Sequence, residues 1–350
     1  MANSAGFVAD LHAQYADAVS SFSRDGERTV AILEGLLPVA RGNGEEELVA
    51  NGWVLLARCL VDLGLPARAH RELDALQNWL VLHPRWLAQL AESHDFRAQI
   101  YLAGNQLAEA EAQWLHCLDY ALARQAVTLY FAASLGLGDV ARLEGAVEEG
   151  LAWHVLALDF SRILGDDNLQ ARGVLYVLAD LAALRQHGAV VEMSLRNEPL
   201  LQRCHETSWL ADLYTYRARA LLALGDRQRA DAALEQAGHL AGEHGFAWSR
   251  ANALLGLARA QLEQHNPLFA RVLLDEIGQL MEKLSGKSPV QSLRVEFDEL
   301  QQWCAQAQEG GRAAEVAAPE ARTNAPREAV FSSRRLQVWH ALNLEKCRLS

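Results

Sequence analysis

Residues 53–69 read Trp53-Val54-Leu55-Leu56-Ala57-Arg58-Cys59-Leu60-Val61-Asp62-Leu63-Gly64-Leu65-Pro66-Ala67-Arg68-Ala69. Trp53 and Leu60 flank Ala57 at helical spacing. Gly64 suits a tight connection needing positive φ, and Ala69 lies early in a second helix that continues through Leu73 and Leu76. The pattern recurs along the chain. Arg97 to Asn105 leads into Ala108-Glu109-Ala110, Arg217 to Asp226 into Arg229-Ala230, and Leu257 to Gln261, past Asn266-Pro267, into Ala270. One column falls at Ala57, Ala98, Gly138, Ala179, Ala218 and Ala258, in steps of about 40 residues. A second lies twelve residues later, at Ala69, Ala110, Gly150, Val191, Ala230 and Ala270. Two antiparallel helices pack closely only where small side chains meet at their crossing, so one small residue on each helix of a hairpin explains the paired columns. The expectation is an all-α array of helical hairpins with a period of about 40 residues.

The flanks extend this reading. Residues 5–42 form one more degenerate hairpin, with stripes Phe7, Leu11, Tyr15, Val19 and Val30, Leu33, Leu37, a turn at Asp25-Gly26, and Ala16 extending the first column. Val290 to Gln308 is expected to be a terminal capping helix with Leu293, Phe297, Leu300 and Trp303 on one side. The expected domains are a repeat domain over 1–308, a flexible Ala/Glu/Pro linker over 309–326 and a basic amphipathic tail over 327–350. In the tail, Leu336, Val338, Trp339, Leu342 and Leu344 suit a short amphipathic helix.

Composition limits the function classes. The 350 residues are 51% apolar, and the net charge of −12 disfavours a broad nucleic-acid face. The N-terminus lacks a signal-peptide pattern, and the longest apolar stretch, Ala126 to Gly138, is too short for a bilayer. Five scattered cysteines without a C-x-x-C pair argue against a disulfide framework. A cytoplasmic protein with no membrane partner is expected. Three motifs fail on context. Gly286-Lys287-Ser288 lacks the earlier glycine and strand of a phosphate loop; Gly136-Leu137-Gly138 lies in a helix; and no histidine pair has metal-ligand spacing with a third ligand. No metal and no cofactor are expected. His94 and His154 are expected as packed, hydrogen-bonded imidazoles.

The repeat resembles the tetratricopeptide repeat (TPR). Trp53, Leu56, Ala57, Leu60, Gly64, Ala69, Leu73 and Leu76 fit that family's pattern, with Ala57 in place of the usual Gly and Leu60 in place of the usual Tyr. The family period is ~34 residues, and the longer step here resembles the TPR-like superhelical domain of MalT/LuxR-type bacterial regulators, as does Ile163-Leu164-Gly165-Asp166-Asp167. Pro326-Arg327-Glu328 is similar to the opening of those regulators' DNA-binding module, but the resemblance stops there. It implies a right-handed superhelix whose first helices line a concave wall.

On that implication, three positions per hairpin face inward. The residue after the small column gives Arg58, Gln99, Asp139, Asp180, Arg219 and Arg259; the residue six before it gives Asn51, Glu92, Ala132, Gly173, Asp212 and Asn252. The residue three before supplies Val54, Asp95, Leu135, Tyr176, Thr215 and Leu255. The binding candidates are Arg58, Gln99, Asp139, Tyr176, Asp180, Asp212, Arg219, Asn252 and Arg259. Arginine forks suit carboxylates, and the acidic middle suits basic groups or sugar hydroxyls. The expected function is a non-catalytic binding module, a regulatory sensor or scaffold for a peptide, partner protein or small effector. A role linked to transcription is the narrower form. An adaptor subunit of a larger assembly is the alternative, and an enzyme using Asp139, Asp180 and Arg219 is the least favoured class.

Overall fold

The computed structural model describes residues 2–22, 25–204, 206–243, 247–284, 290–309 and 335–343. Fifteen α-helices follow one another from Ala2 to Glu309, with no strand among the described residues. They are α1 (Ala2–Ser21), α2 (Gly26–Gly42), α3 (Glu46–Asp62), α4 (Pro66–Leu82), α5 (Leu87–Ala103), α6 (Leu107–Arg124), α7 (Val127–Leu143) and α8 (Val147–Leu164). Then come α9 (Asp167–Ala183), α10 (His187–Arg203), α11 (Ser208–Ala223), α12 (Arg227–Glu243), α13 (Ala247–Glu263), α14 (Pro267–Leu284) and α15 (Val290–Glu309). The chain divides into two compact units, Met1–Gly136 and Leu137–Ser350, the division falling inside α7. Within each unit, helices adjacent in sequence pack together, and first helices of successive hairpins also touch: α3 with α5, α9 with α11, α11 with α13, and α13 with α15. The fold is therefore an all-α array of repeated helical hairpins.

The beat is written most regularly in the backbone. Gly64, Asn105, Gly145, Arg185, Gly225 and His265 all have positive φ, at intervals that differ by no more than one position. Each closes the first helix of a hairpin in the same way. The following residue donates its N–H to the carbonyl five positions back: Leu65 to Leu60 at 2.9 Å, Gln106 to Tyr101 at 2.8 Å, Ala146 to Ala141 at 2.9 Å, Gln186 to Leu181 at 2.9 Å, Asp226 to Leu221 at 3.0 Å and Asn266 to Gln261 at 2.9 Å. This is the left-handed helix terminator that satisfies carbonyls otherwise left open at the C-terminus. The second helix then starts after a single non-helical residue, such as Leu65, Gln106, Ala146 or Gln186.

The small columns lie inside the core. Ala57, Ala69, Ala98, Ala110, Ala218, Ala230, Ala258 and Ala270 are all fully buried. Gly138 and Gly150 mark the closest approach, since a Cβ on Gly150 would lie 2.9 Å from the Gly138 carbonyl oxygen. The fourth hairpin departs from the expected register. With Arg185 holding the turn, its columns fall at Leu178 and Val190, one residue before Ala179 and Val191. Leu178 and Val190 are fully buried, whereas Ala179 and Val191 are only half-buried. The N-terminal hairpin is also corrected. Ala16, Phe7 and Val19 are exposed, and Ala18 takes the buried small position. Asp25 caps α2 by accepting the Arg28 N–H at 3.0 Å.

Leu293, Leu300 and Cys304 of α15 are buried against α13 and α14, with Phe297 and Trp303 packed beside them. Residues 335–343 are helical; Val338 and Leu342 are buried, Leu336 and Trp339 are exposed, and Arg335 is ion-paired with Glu149 of α8. The expected linker from 310 onward, Gly286-Lys287-Ser288, Pro326-Arg327-Glu328 and Cys347 lie outside the described residues. Cys59, Cys117, Cys204 and Cys304 are buried free thiols. No described helix is long and apolar enough to cross a membrane.

Candidate functional site

Counted back from each left-handed turn residue, the expected inward positions lie six, ten and thirteen places earlier. In the fourth hairpin these positions are Ala179, Leu175 and Arg172, so Asp180, Tyr176 and Gly173 each sit one place further along. Asp180 shares its position with Cys59, Ile100, Val140, Ala220 and Ala260, every one of them buried. Tyr176 shares its position with Leu55, Phe96, Gly136, Tyr216 and Gly256.

In the first unit Arg58 and Gln99 make short local contacts. Arg58 is exposed, with its guanidinium 5.0 Å from the Phe22 ring centre. Gln99 donates to Asp95 at 2.8 Å, one helical turn away on α5, and Trp114 Nε1 donates to the same carboxylate at 2.7 Å. Gln89 donates to Asn51 at 2.9 Å. Burial, and then Asp95, push the Glu92 carboxyl above its usual range, with Arg58 partly opposing. Val54 is buried. His94, as expected, is hydrogen-bonded, to Gln113 at 2.7 Å.

In the second unit the candidates form a buried polar belt across several helices. His154 on α8 donates through Nδ1 to Asp180 Oδ2 on α9 at 2.5 Å, and both side chains are wholly buried. The imidazole lies over Gly138, where a Cβ would come within 2.3 Å of Nε2. Arg142 donates to Asp139 at 2.5 Å and ion-pairs with Asp180 at 3.5 Å. Burial alone would lower the Arg142 pKa, but Asp139, with Tyr216 and Asp180, holds it above its usual value. The Tyr176 ring lies 4.9 Å from the His154 ring, and Asp139, then burial, raise its phenol pKa. Burial pushes the Tyr216 phenol to about 12, with Asp212 adding and Arg142 and Arg219 opposing. Tyr216 thus stands in the field of both ends of the belt.

Asp212 and Tyr216 are one turn apart on α11, followed by Arg219 another turn on. Burial raises the Asp212 carboxyl to about 7 despite a hydrogen bond from Ser249, and its Oδ1 has no hydrogen-bond partner. Thr215 bonds its own helix, to the Ala211 carbonyl at 2.9 Å. Arg219 donates to Asn252 Oδ1 on α13 at 3.1 Å and to Glu296 on α15. Arg259 reaches the same Glu296 oxygen at 3.2 and 3.3 Å. Burial alone would raise the Glu296 pKa, but Arg219 and Arg259 hold it below the usual carboxylate range.

Of the nine candidates, Asp139, Tyr176 and Asp180 converge at one end of the belt. Arg219, Asn252 and Arg259 converge at the other, and Asp212 lies two turns before Arg219 on α11. Arg58 and Gln99 belong to the first unit. Four belt members, Arg142, His154, Tyr216 and Glu296, are not among the nine. His239 is described, while His205 and His244 are not. Two of the four are within reach of the sequence. Tyr176, Tyr216, Gly256 and Glu296 follow one another a single repeat apart, a column visible only once the fourth hairpin is set in register. The chain matches no protein-family model and no curated protein.

Proposed function

We propose that the chain is a non-catalytic binding module of TPR type, closest in style to the superhelical domain of MalT/LuxR-type regulators. Within each unit its first helices line a concave wall that holds a peptide, a partner protein or a small effector. The observation carrying this reading is the recurrence of polar side chains at fixed places on first helices that, within each unit, touch one another from hairpin to hairpin. Continuous surface built from repeats suits recognition of extended ligands. The absence of catalysis is inferred from how the titratable groups are engaged. His154 and Asp180 are sealed from solvent and bonded to each other, and Asp139 is ion-paired to Arg142. A general base must reach a substrate proton, which these groups do not in this arrangement. A cytoplasmic regulatory role, linked to transcription through the MalT/LuxR likeness, is part of the same reading.

The test is affinity capture with wild-type protein and with an Arg58→Glu/Arg172→Glu variant. Both arginines are exposed, so the fold tolerates their reversal. A partner or effector retained by wild type and lost by the variant supports the wall. A partner retained equally by both overturns it.

A further inference from the structure

The C-terminal end of the belt holds a charge imbalance. Arg219 of α11 and Arg259 of α13 both bind one oxygen of Glu296, and Asn252 fixes Arg219 from the side. Two guanidinium charges therefore face one carboxylate. Among the described residues, no second carboxylate lies within ion-pair distance of either arginine. A half-buried cluster with one uncompensated positive charge favours a further anion.

The reach of Arg219 is built into the backbone. It crosses α13 at Gly256, where an added Cβ would lie 3.2 Å from Arg219 Cγ and 3.4 Å from Leu234 Cδ2. A side chain at 256 would press on the arginine stem, which would have to give by a few tenths of an ångström. Glu296 stands one repeat after Gly256, at the same position in its hairpin. It thus presents a carboxylate from α15 at the position where the preceding hairpins carry Tyr176, Tyr216 and Gly256. The rest of α15 is anchored independently through Leu293, Leu300 and Cys304, so the Glu296 side chain can leave the arginines while the helix stays seated.

We propose that Arg219, Arg259 and Asn252 form an anion site for a carboxylate-bearing peptide, and that Glu296 occupies it as an internal competitor. The proposal rests on the groove reading above and adds the ligand class and a means of regulation. In the resting protein the glutamate holds both guanidinium groups in place. One acidic side chain of the peptide takes the Glu296 oxygen position, a neighbouring carboxylate of the same peptide meets the spare positive charge, and the released Glu296 turns to solvent. An internal competitor lowers apparent affinity by the fraction of time it leaves the site open.

The experiment compares wild type, Glu296→Ala and Glu296→Ala/Arg219→Ala, using a fluorescein-labelled pentaglutamate peptide read by anisotropy at low salt. Glu296→Ala is expected to bind about ten-fold or more tightly than wild type, and the double variant to lose that gain. Glutarate should compete for Glu296→Ala where chloride at equal ionic strength does not. Equal binding by wild type and Glu296→Ala overturns the proposal, as does a gain that survives loss of Arg219. If Glu296→Ala loses its helical circular dichroism, Glu296→Gln serves instead. It keeps the volume, removes the competing charge, and should show a smaller gain in the same order; no gain over wild type overturns the proposal. A partner captured through the wall but indifferent to Glu296 would leave the groove reading standing and remove this site alone. Failure of the wall variant in capture would remove the groove reading itself.

Discussion

The polar residues of α3 and α5 and those of α7 through α15 recur on the same beat of the repeat, yet they live differently. In the first unit, Arg58 lies in solvent against Phe22, and Gln99 reaches only its own helix. In the second, Asp180 is sealed between His154 and Arg142, and Arg219 spans from α11 to α15. The difference traces to missing side chains. Gly138 makes room for the His154 ring and Gly256 for the Arg219 stem, while the first unit has Ala98 and Phe96 at the corresponding places. At Gly138 the missing Cβ lets the His154 ring enter the interior, where it must find a partner because water cannot reach it.

The sharpest way to break this contrast is to remove Asp180. Asp180→Ala leaves His154 and one face of Arg142 buried without their carboxylate, and about 3–5 kcal/mol of stability should be lost in urea unfolding. Asp95→Ala, in the first unit, removes a half-buried acceptor and should cost about 1 kcal/mol. Equal losses would erase the distinction between the units.

Asp212 provides a pH test of the same burial. Its carboxyl titrates at about 7 in the folded protein against an ordinary 3.8. A raised carboxyl pKa means that the folded state holds the proton more tightly than the unfolded chain. Stability from this group is therefore complete below 3.8 and falls as pH rises through 7. Asp212→Asn removes that slope. Its stability relative to wild type should improve between pH 4 and pH 8 by at most about 4 kcal/mol. A difference independent of pH would show that Asp212 is solvated rather than buried.

A third change tests the space itself. Gly138→Ala forces a methyl group against an imidazole already fixed by Asp180, and should cost about 1–3 kcal/mol. The smallest effect belongs to the exposed side. Arg58→Ala removes a surface cation–π contact and should change stability by about 1 kcal/mol or less. A larger loss would mean that the wall of the first unit is structural after all.

The hairpin array is legible because Ala57, Ala98, Ala218 and Ala258, with their partners twelve residues on, repeat a packing requirement that alanine meets in a visible way. The fourth hairpin hides its register because Leu178 and Val190 fill that crossing and Arg185, not glycine, takes the left-handed turn. Ala179 beside Leu178 then offers a false match, and Asp180 and Tyr176 move with it onto the wall. The N-terminal hairpin misleads for a related reason, since Ala16 and Ala18 are both small and only packing selects Ala18. His154 shows its burial but not its partner, because Asp180 is 26 residues away on another helix. Glu296 reads as one more solvated charge of a capping helix. Nothing in its neighbours announces two arginines arriving from 37 and 77 residues earlier.

Repeat arrays usually fray from their ends, because each terminal module is held only by the one beside it. Arg219 changes that rule for α15. Peeling α15 away strands a guanidinium two hairpins deeper, so loosening at the edge is felt at once by α11. The three closing first helices are thereby tied into one cooperative block, with Gly256 as the notch through which the tie passes.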